Sequence, residues 1–166
     1  MTRKEPNLHF LLHSAALVED VVRHELRPLG VGHSQARVLD ALDRMGPSSQ
    51  IELADECNIT AASMSTMTMR LLASGFIVRR QDPNEKRSNI LRLSKTGASL
   101  LSDVRAIWHK VDRIIEGVIG ADKAATIFKT AEELRDALGG RTAGERRAKR
   151  DGLDTDVSVE NTHAPT

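Results

Sequence analysis

The chain has 166 residues, 40% of them hydrophobic and 28% charged, and a formal net charge of +1, so we expect one ordinary core with appendages. Aromatic residues make up 2% of the sequence, which argues against a platform of exposed rings that stacks on single-stranded nucleic acid. No apolar run approaches the roughly 20 residues that span a bilayer, and the amino terminus leads into no signal-like segment, so a cytoplasmic location is expected.

The first predicted element is a long amphipathic helix over residues 7–29, ended by Pro28 and Gly30. Its apolar positions recur at steps of three and four: Leu8, Leu12, Ala15, Val18, Val22, Leu26 and Leu29. So broad an apolar face favours packing against more than one neighbour. His9 and His13 share a face at the spacing of a two-histidine metal site. No acidic or cysteine ligand at matching spacing completes such a site, so we interpret them as polar or pocket-lining residues.

Two shorter helices follow. Ser34 is expected to cap the first, which ends at Met45 before a Gly-Pro pair, and residues 48–49 form a connector. The second spans about residues 51–57 and should turn its acidic residues outward and away from DNA phosphates, which would repel them. Those acidic residues are Glu52, Asp55 and Glu56. A turn at residues 58–60 joins it to a further helix, and this pairing matches the helix-turn-helix pattern.

Cys57 is the only cysteine in the chain. A single cysteine excludes an intrachain disulfide and a cysteine-only metal cluster. No Lys, Arg or His stands beside it in the sequence to favour the thiolate, so a role as a small core residue is favoured over a redox sensor.

The stretch over residues 59–94 is predicted to form a helix followed by a β-hairpin. Thr60 is a good N-cap for the helix, and an apolar stripe stops at Gly75, a residue type that readily ends helices. The stripe consists of Met64, Met67, Leu71 and Leu72. Residues 76–78 and 90–93 are apolar and β-prone, and the Asp-Pro-Asn sequence between them turns the chain back. A helix followed by a hairpin is the winged-helix arrangement.

Positive charge is concentrated in this helix and hairpin. Residues 60–95 contain seven Lys or Arg residues and two acidic residues, an excess of five positive charges in a chain whose total is +1. The basic residues are Arg70, Arg79, Arg80, Lys86, Arg87, Arg92 and Lys95. Such an excess is typical of phosphate binding, although solvated lysines and arginines also protect exposed strand edges.

A long helix is predicted over residues 94–119 and a last one over residues 121–138. The long helix carries apolar residues at alternating steps of four and three, as in a coiled-coil seam. These are Leu100, Val104, Ile107, Val111, Ile114 and Val118. At roughly 38 Å, such a helix is longer than a small winged unit needs. Its surplus apolar face predicts that the first helix and these two interlock with those of a second copy.

Residues 139–166 begin with two glycines and contain few apolar side chains, so we expect a disordered tail. A basic half precedes an acidic half, and their charges cancel. The basic half would add non-specific DNA affinity, but a solvated tail is the favoured interpretation.

From about residue 8 to residue 138, the chain resembles the MarR family of bacterial transcription regulators. The most specific stretches are residues 59–71, 75–77, 82–87 and 91–97, together with Arg79. They are similar to the family's recognition helix, its wing and the entry to its dimerisation helix.

The resemblance implies a mainly α fold with a small β-hairpin wing, in which a winged helix-turn-helix joins a helical dimerisation region. Residues 1–33 would be the N-terminal helix of the dimerisation region, and residues 34–95 the DNA-binding domain. Residues 96–138 would be the C-terminal dimerisation helices, followed by the tail.

The same resemblance implies a homodimeric transcriptional regulator, expected to be a repressor. Two recognition helices would enter successive major grooves of a pseudo-palindromic double-stranded operator, and the wings would reach adjacent minor grooves. The DNA-binding residues that it assigns are Ala62, Ser63, Ser65, Thr66, Arg70, Lys86 and Arg87. Helical geometry agrees for the helix, because Ala62 and Thr66 point away from the apolar stripe. An arginine in a narrow minor groove, the role assigned to Arg87 at the wing tip, is favoured by the negative potential there.

Two features depart from the family pattern. Glu85 and Lys86 stand where Asp and Arg are usual, so the carboxylate that orients the wing arginine is one methylene longer and a neighbouring guanidinium is lost. Thr66 occupies a place often held by arginine. We therefore expect shape and phosphate contacts to supply more of the affinity.

Regulators of this family commonly bind small anions, often aromatic or phenolic, between the dimerisation helices and the winged unit. The candidate ligand-binding residues are His9, His13, Arg23, His33, Arg37 and Trp108. An anion favours an arginine or a protonated histidine beside an apolar wall. Surface or core roles also explain each residue separately.

The sequence contains no pattern that predicts an enzyme, a cofactor or a metal. A Gly-rich phosphate loop, a Gly-x-Ser-x-Gly elbow, a His-Glu-x-x-His motif and convincing paired carboxylates are all missing. The remaining alternative is a winged domain used for protein contacts, without specific DNA binding.

Overall fold

The computed structural model describes residues 6–81 and 89–138. Its elements are α1 (Asn7–Leu26), α2 (His33–Met45), α3 (Gln50–Cys57), α4 (Ala61–Ala73), β1 (Ile77–Gln81), β2 (Asn89–Leu93), α5 (Lys95–Ile119) and α6 (Ala121–Ala137). The mainly helical fold with a two-stranded antiparallel wing is as predicted. The expected turn at residues 82–88 and the expected tail at residues 139–166 lie outside the described residues.

The first two helix boundaries differ from the prediction. α1 ends at Leu26, and a 3₁₀ turn over Arg27–Leu29 replaces the last predicted helical turn and closes at Gly30. α2 begins at His33 and not after a Ser34 cap. Its N-cap is Gly32, whose backbone N–H donates to the Gln35 side chain at 3.1 Å.

The predicted connector at residues 48–49 is structured. Ser49 caps α3 in a reciprocal pair: its hydroxyl accepts from the Glu52 N–H at 3.2 Å, and its own N–H donates to the Glu52 carboxylate at 2.8 Å. Ser48 is buried and exchanges two backbone hydrogen bonds with Leu91, at 2.8 and 3.1 Å. These residues join α3 to the wing.

The expectation that the acidic residues of α3 face outward is correct only for Asp55. Glu52 is half-buried because its carboxylate caps the helix. The side chain of Glu56 is 6% exposed and lies 3.9 Å from the guanidinium of Arg44.

The core lies where α2, α3, α4, α5 and the base of the wing meet. Its largest fully buried side chains include Leu26, Leu39, Leu42, Leu53, Met64, Leu71, Ile77, Leu91 and Leu101. Cys57 belongs to this core, as predicted.

The wing is tied to the start of α5 at its base. β1 and β2 pair from Ile77 opposite Leu93 to Gln81 opposite Asn89. Ser94 caps α5, and its hydroxyl donates to the Gly75 carbonyl at 2.6 Å. Gly97 packs so closely that a Cβ there would overlap the Phe76 carbonyl oxygen.

Apolar side chains at the opposite end of the molecule are left uncovered. Residues 6–20 of the chain are all exposed. The large exposed apolar residues of α1, α5 and α6 are Leu8, Phe10, Leu11, Leu12, Leu17, Val18, Ile114, Val118, Ile127, Phe128 and Leu134, with Leu138 just beyond α6. Leu11 lines a groove with residues of α6 that include Ile127 and Leu134.

Among the helices in residues 6–81 and 89–138, none combines the length and the hydrophobicity needed to traverse a bilayer.

Candidate nucleic-acid interface

One face of α4 is anchored in the core. Met64, Thr68 and Leu71 are fully buried, and Met67 and Leu72 are half-buried. The predicted cap is confirmed, because the Thr60 hydroxyl accepts from the Ser63 N–H at 3.2 Å. The predicted apolar stripe therefore determines which side of the helix is hidden.

The opposite face of α4 is open to solvent. Every residue that was assigned to DNA on this helix is exposed: Ala62, Ser63, Ser65, Thr66 and Arg70. Met69 is exposed on the same side, with 63% of its surface accessible. Lys86 and Arg87, the wing residues assigned to DNA, lie outside the described residues.

A part-buried hydrogen bond that the sequence did not predict holds α4 against α3. The Gln50 amide donates to the Thr68 hydroxyl at 2.7 Å, and that hydroxyl donates in turn to the Met64 carbonyl at 2.9 Å. Thr68 lies four residues after Met64 and three before Leu71, so the apolar spacing could have identified it. Because threonine is polar, Thr68 was not counted in the apolar stripe.

The helix and hairpin also carry exposed positive charge. The described basic residues of the helix and hairpin are all exposed: Arg70, Arg79, Arg80, Arg92 and Lys95. No ion pair between described residues engages any of these five. Cations that form no ion pair with another described residue favour the approach of a polyanion.

An ion-pair cluster fixes the winged unit against α5. The Arg105 guanidinium lies 2.7 Å from an Asp40 oxygen and 2.9 Å from an Asp43 oxygen, and Arg44 also donates to Asp40 at 2.9 Å. The hydrogen bond to Asp40, followed by that to Asp43, raises the pKa of Arg105 above its ordinary value against the lowering effect of partial burial. Arg105 therefore stays charged near neutral pH. Because its pKa is raised in the folded state, its ion pairs stabilise the fold until the pH rises through that pKa.

The six candidate ligand-binding residues fall into separate groups. The rings of His9 and His13 are 6.0 Å apart near the start of α1. Arg23 and His33 share the carboxylate of Glu19, at 4.0 and 3.6 Å. Ten residues separate His13 from Arg23 on one helix, which is about 15 Å along its axis. No ion pair or ring contact between described residues joins the two groups, so the structure does not bring them together within a single chain.

The other two candidates also differ in exposure. Arg37 on α2 is exposed, whereas Trp108 on α5 is half-buried and packs against the core. Within the part of the chain that the structure describes, no cluster of three or more His, Cys, Asp or Glu residues offers a metal site.

Comparisons with known proteins agree with this architecture. The sequence profile of the MarR family matches residues 32–88. An uncharacterized HTH-type transcriptional regulator of Bacillus subtilis, YwoH, is 32% identical over 105 residues, which cover 63% of this chain and 76% of that protein.

Two solved structures share the fold at low sequence identity. A mutant MarR from E. coli complexed with operator DNA has a TM-score of 0.68 and 21% identity, and the match covers 76% of this chain and 92% of the other. The transcriptional repressor CouR bound to a 23-mer DNA duplex has a TM-score of 0.72 and 22% identity, with 78% and 92% covered.

Removal of the buried hydroxyl should destabilise the protein without a change of shape. Thr68→Val leaves the Gln50 amide without its partner, so we expect the free energy of unfolding to fall by about 1–2 kcal/mol. Thr66→Val makes the same chemical change on the exposed face and should alter it by less than about 0.5 kcal/mol. Urea unfolding of both variants measures the difference, and equal midpoints would refute the anchoring role of Thr68.

Proposed function

Because the chain belongs to the MarR family of DNA-binding transcription regulators, which are not enzymes, we propose that it acts as a homodimeric repressor. It binds a pseudo-palindromic operator in double-stranded DNA, and a small anion releases it. The observation that carries this proposal is the open face of α4, together with exposed cations of the same helix and hairpin that form no ion pair with another described residue.

In this proposal α4 is the recognition helix. Its buried face docks on α3 through Met64 and Thr68, so its exposed residues are presented as one rigid surface. Hydroxyl groups on that surface serve phosphates or bases, and Arg70 reads guanine or holds a phosphate. The wing arginines Arg79 and Arg80 add phosphate contacts. The operator complex of E. coli MarR and the duplex complex of CouR, which have this fold, support the assignment.

The proposal assigns the chain to two regions with different roles. Residues 34–95 form the DNA-binding domain, and residues 1–33 and 96–138 form the dimerisation region. The cluster of Arg105 with Asp40 and Asp43 links the two regions within one chain. A displacement of α5 would therefore be passed to α2 and on to the recognition helix.

The dimerisation proposal rests on the exposed apolar ends of α1, α5 and α6. Monomeric proteins rarely leave so many large apolar side chains together at the surface, because water contact with them is unfavourable. Leu11 and Phe128 are 53% and 37% exposed in the single chain. A second copy presenting the same helices would cover both.

Substitution of the recognition-helix arginine should weaken operator binding. Loss of one bidentate base contact costs about 1–3 kcal/mol, and a dimer loses it in both half-sites, so we expect Arg70→Ala to lower affinity roughly thirtyfold or more. Titration of the full chain with duplexes from upstream of its own gene, at several salt concentrations, measures affinity and salt slope.

The matched control is Arg27→Ala, which removes an exposed arginine of the 3₁₀ turn outside the winged unit and should leave affinity unchanged. If the wild-type protein retains every duplex of equal length equally well, specific recognition is refuted. The interpretation as a protein-interaction domain would then be favoured.

We also expect the protein to form a dimer of two chains in solution. Light scattering at micromolar concentration should give twice the chain mass for the wild type and a lower mass for Leu11→Glu, because a carboxylate would be buried without a partner. Ile51→Glu is the matched control, since Ile51 is 71% exposed but lies on α3 of the winged unit. A wild-type mass of one chain would contradict the proposal.

An aromatic anion should stabilise the protein and lower its affinity for operator DNA. At one hundred times its dissociation constant, a ligand adds about 2.7 kcal/mol of stability, which raises the melting temperature by several degrees. Benzoate and 4-hydroxybenzoate are suitable probes, and uncharged benzyl alcohol is the control. Arg23→Gln and Arg37→Gln test which arginine the anion needs. Unchanged melting and unchanged operator affinity at millimolar benzoate would count against an aromatic acid as effector.

A further inference from the structure

The centre of the exposed face of α4 is apolar. At 100° per residue, Ala62, Thr66 and Met69 lie within about 50° of the direction opposite the buried side chains Met64 and Leu71. Met69 is 63% exposed, although methionine is a common core residue. A single exposed methionine needs no explanation. This one lies in the middle of the surface that faces DNA in the proposed function.

Thr66 presents its methyl group to this surface. Its hydroxyl donates to the Ala62 carbonyl one turn earlier, at 3.2 Å. The bond engages the hydroxyl hydrogen with the backbone of the same helix. With that hydrogen engaged, the Cγ2 methyl of this exposed side chain remains free for an apolar contact, and the exposed Met69 lies three positions further along the helix.

The helix lacks the side chains that read most other base edges. Between Ala61 and Ala73 there is no Asn, Gln, Asp or Glu, and Arg70 is the only cation. Adenine is normally read by a carboxamide and cytosine by a carboxylate. Thymine differs from the other bases in the major groove by its C5-methyl group, which apolar side chains contact.

We propose that Thr66 and Met69 specify thymine in each half-site by contact with its C5-methyl group. This inference rests on the proposed function and adds the class of base that the recognition helix selects. Arg70 and the serines then position the helix around these apolar contacts.

The test removes only the methyl groups. The duplex that binds the wild-type chain most tightly is selected from a randomised pool, and each symmetry-related pair of thymines is replaced by deoxyuridine. Burial of one methyl group changes affinity roughly fourfold, so loss of both methyl groups of a contacted pair should lower affinity roughly fifteenfold. Deoxyuridine replacements at thymines outside the two half-sites are the DNA control, and they should leave the affinity unchanged.

Three variants of the exposed face assign the effect to the protein. Thr66→Ser removes the methyl and keeps the hydroxyl, whereas Thr66→Val keeps the methyl and removes the hydroxyl. We expect Thr66→Ser to lose sensitivity to deoxyuridine at one thymine pair and Thr66→Val to keep it. Met69→Ala should lose sensitivity at another pair or at the same one. Both substituted positions are exposed, so the melting temperatures of the three variants should match that of the wild type.

The possible outcomes distinguish failure of this inference from failure of the proposed function. Specific binding that is indifferent to deoxyuridine at every thymine pair, or a sensitivity that survives both Thr66→Ser and Met69→Ala, would overturn thymine recognition alone. A pool that yields no enriched duplex would overturn the proposed function and this inference together. Loss of binding in Thr66→Val with retention in Thr66→Ser would show that the hydroxyl and not the methyl is read, and would also refute it.

Discussion

The burial of one side of α4 is the constraint on which the rest of this structure depends. Met64 and Leu71 supply apolar contact, while the Thr68 hydroxyl accepts from Gln50 at 2.7 Å and donates to the Met64 carbonyl. Rotation of the helix about its axis would bring Met64 and Leu71 into water, so the apolar stripe determines which side of α4 is hidden. A hydrogen bond depends on direction, so the bond from Gln50 to Thr68 makes this orientation more specific.

The orientation of α4 is transmitted to the long helix through two junctions. Ser94 and Gly97 pack the start of α5 against Gly75 and Phe76, which lie between α4 and β1. Further along, Arg105 joins α5 to Asp40 of α2. Two separated attachments define both position and angle, so the winged unit and α5 are expected to move together when the apolar ends of the helices are rearranged.

Charge is distributed unevenly even though the chain is nearly neutral overall. The arginines that join elements, Arg44 and Arg105, lie beside carboxylates that offset their charge. The arginines of the exposed face and wing, including Arg70 and Arg79, have no such partner among the described residues. Paired charges stabilise contacts within the protein, whereas unpaired ones are available to phosphates.

Local patterns in the sequence determined the elements, and the tertiary structure decided how they are joined. Apolar spacing predicted α4 and α5, and the cap at Thr60 was also predicted, because helix signals lie within a few residues of one another. Other contacts join residues that are far apart in the sequence, so no local pattern predicts them. Ser48 pairs with Leu91, and Arg105 binds Asp40, which lies 65 residues earlier. For the same reason Glu56 was wrongly placed outward and the buried role of Thr68 was missed, since polar residues are buried only when a distant partner satisfies them.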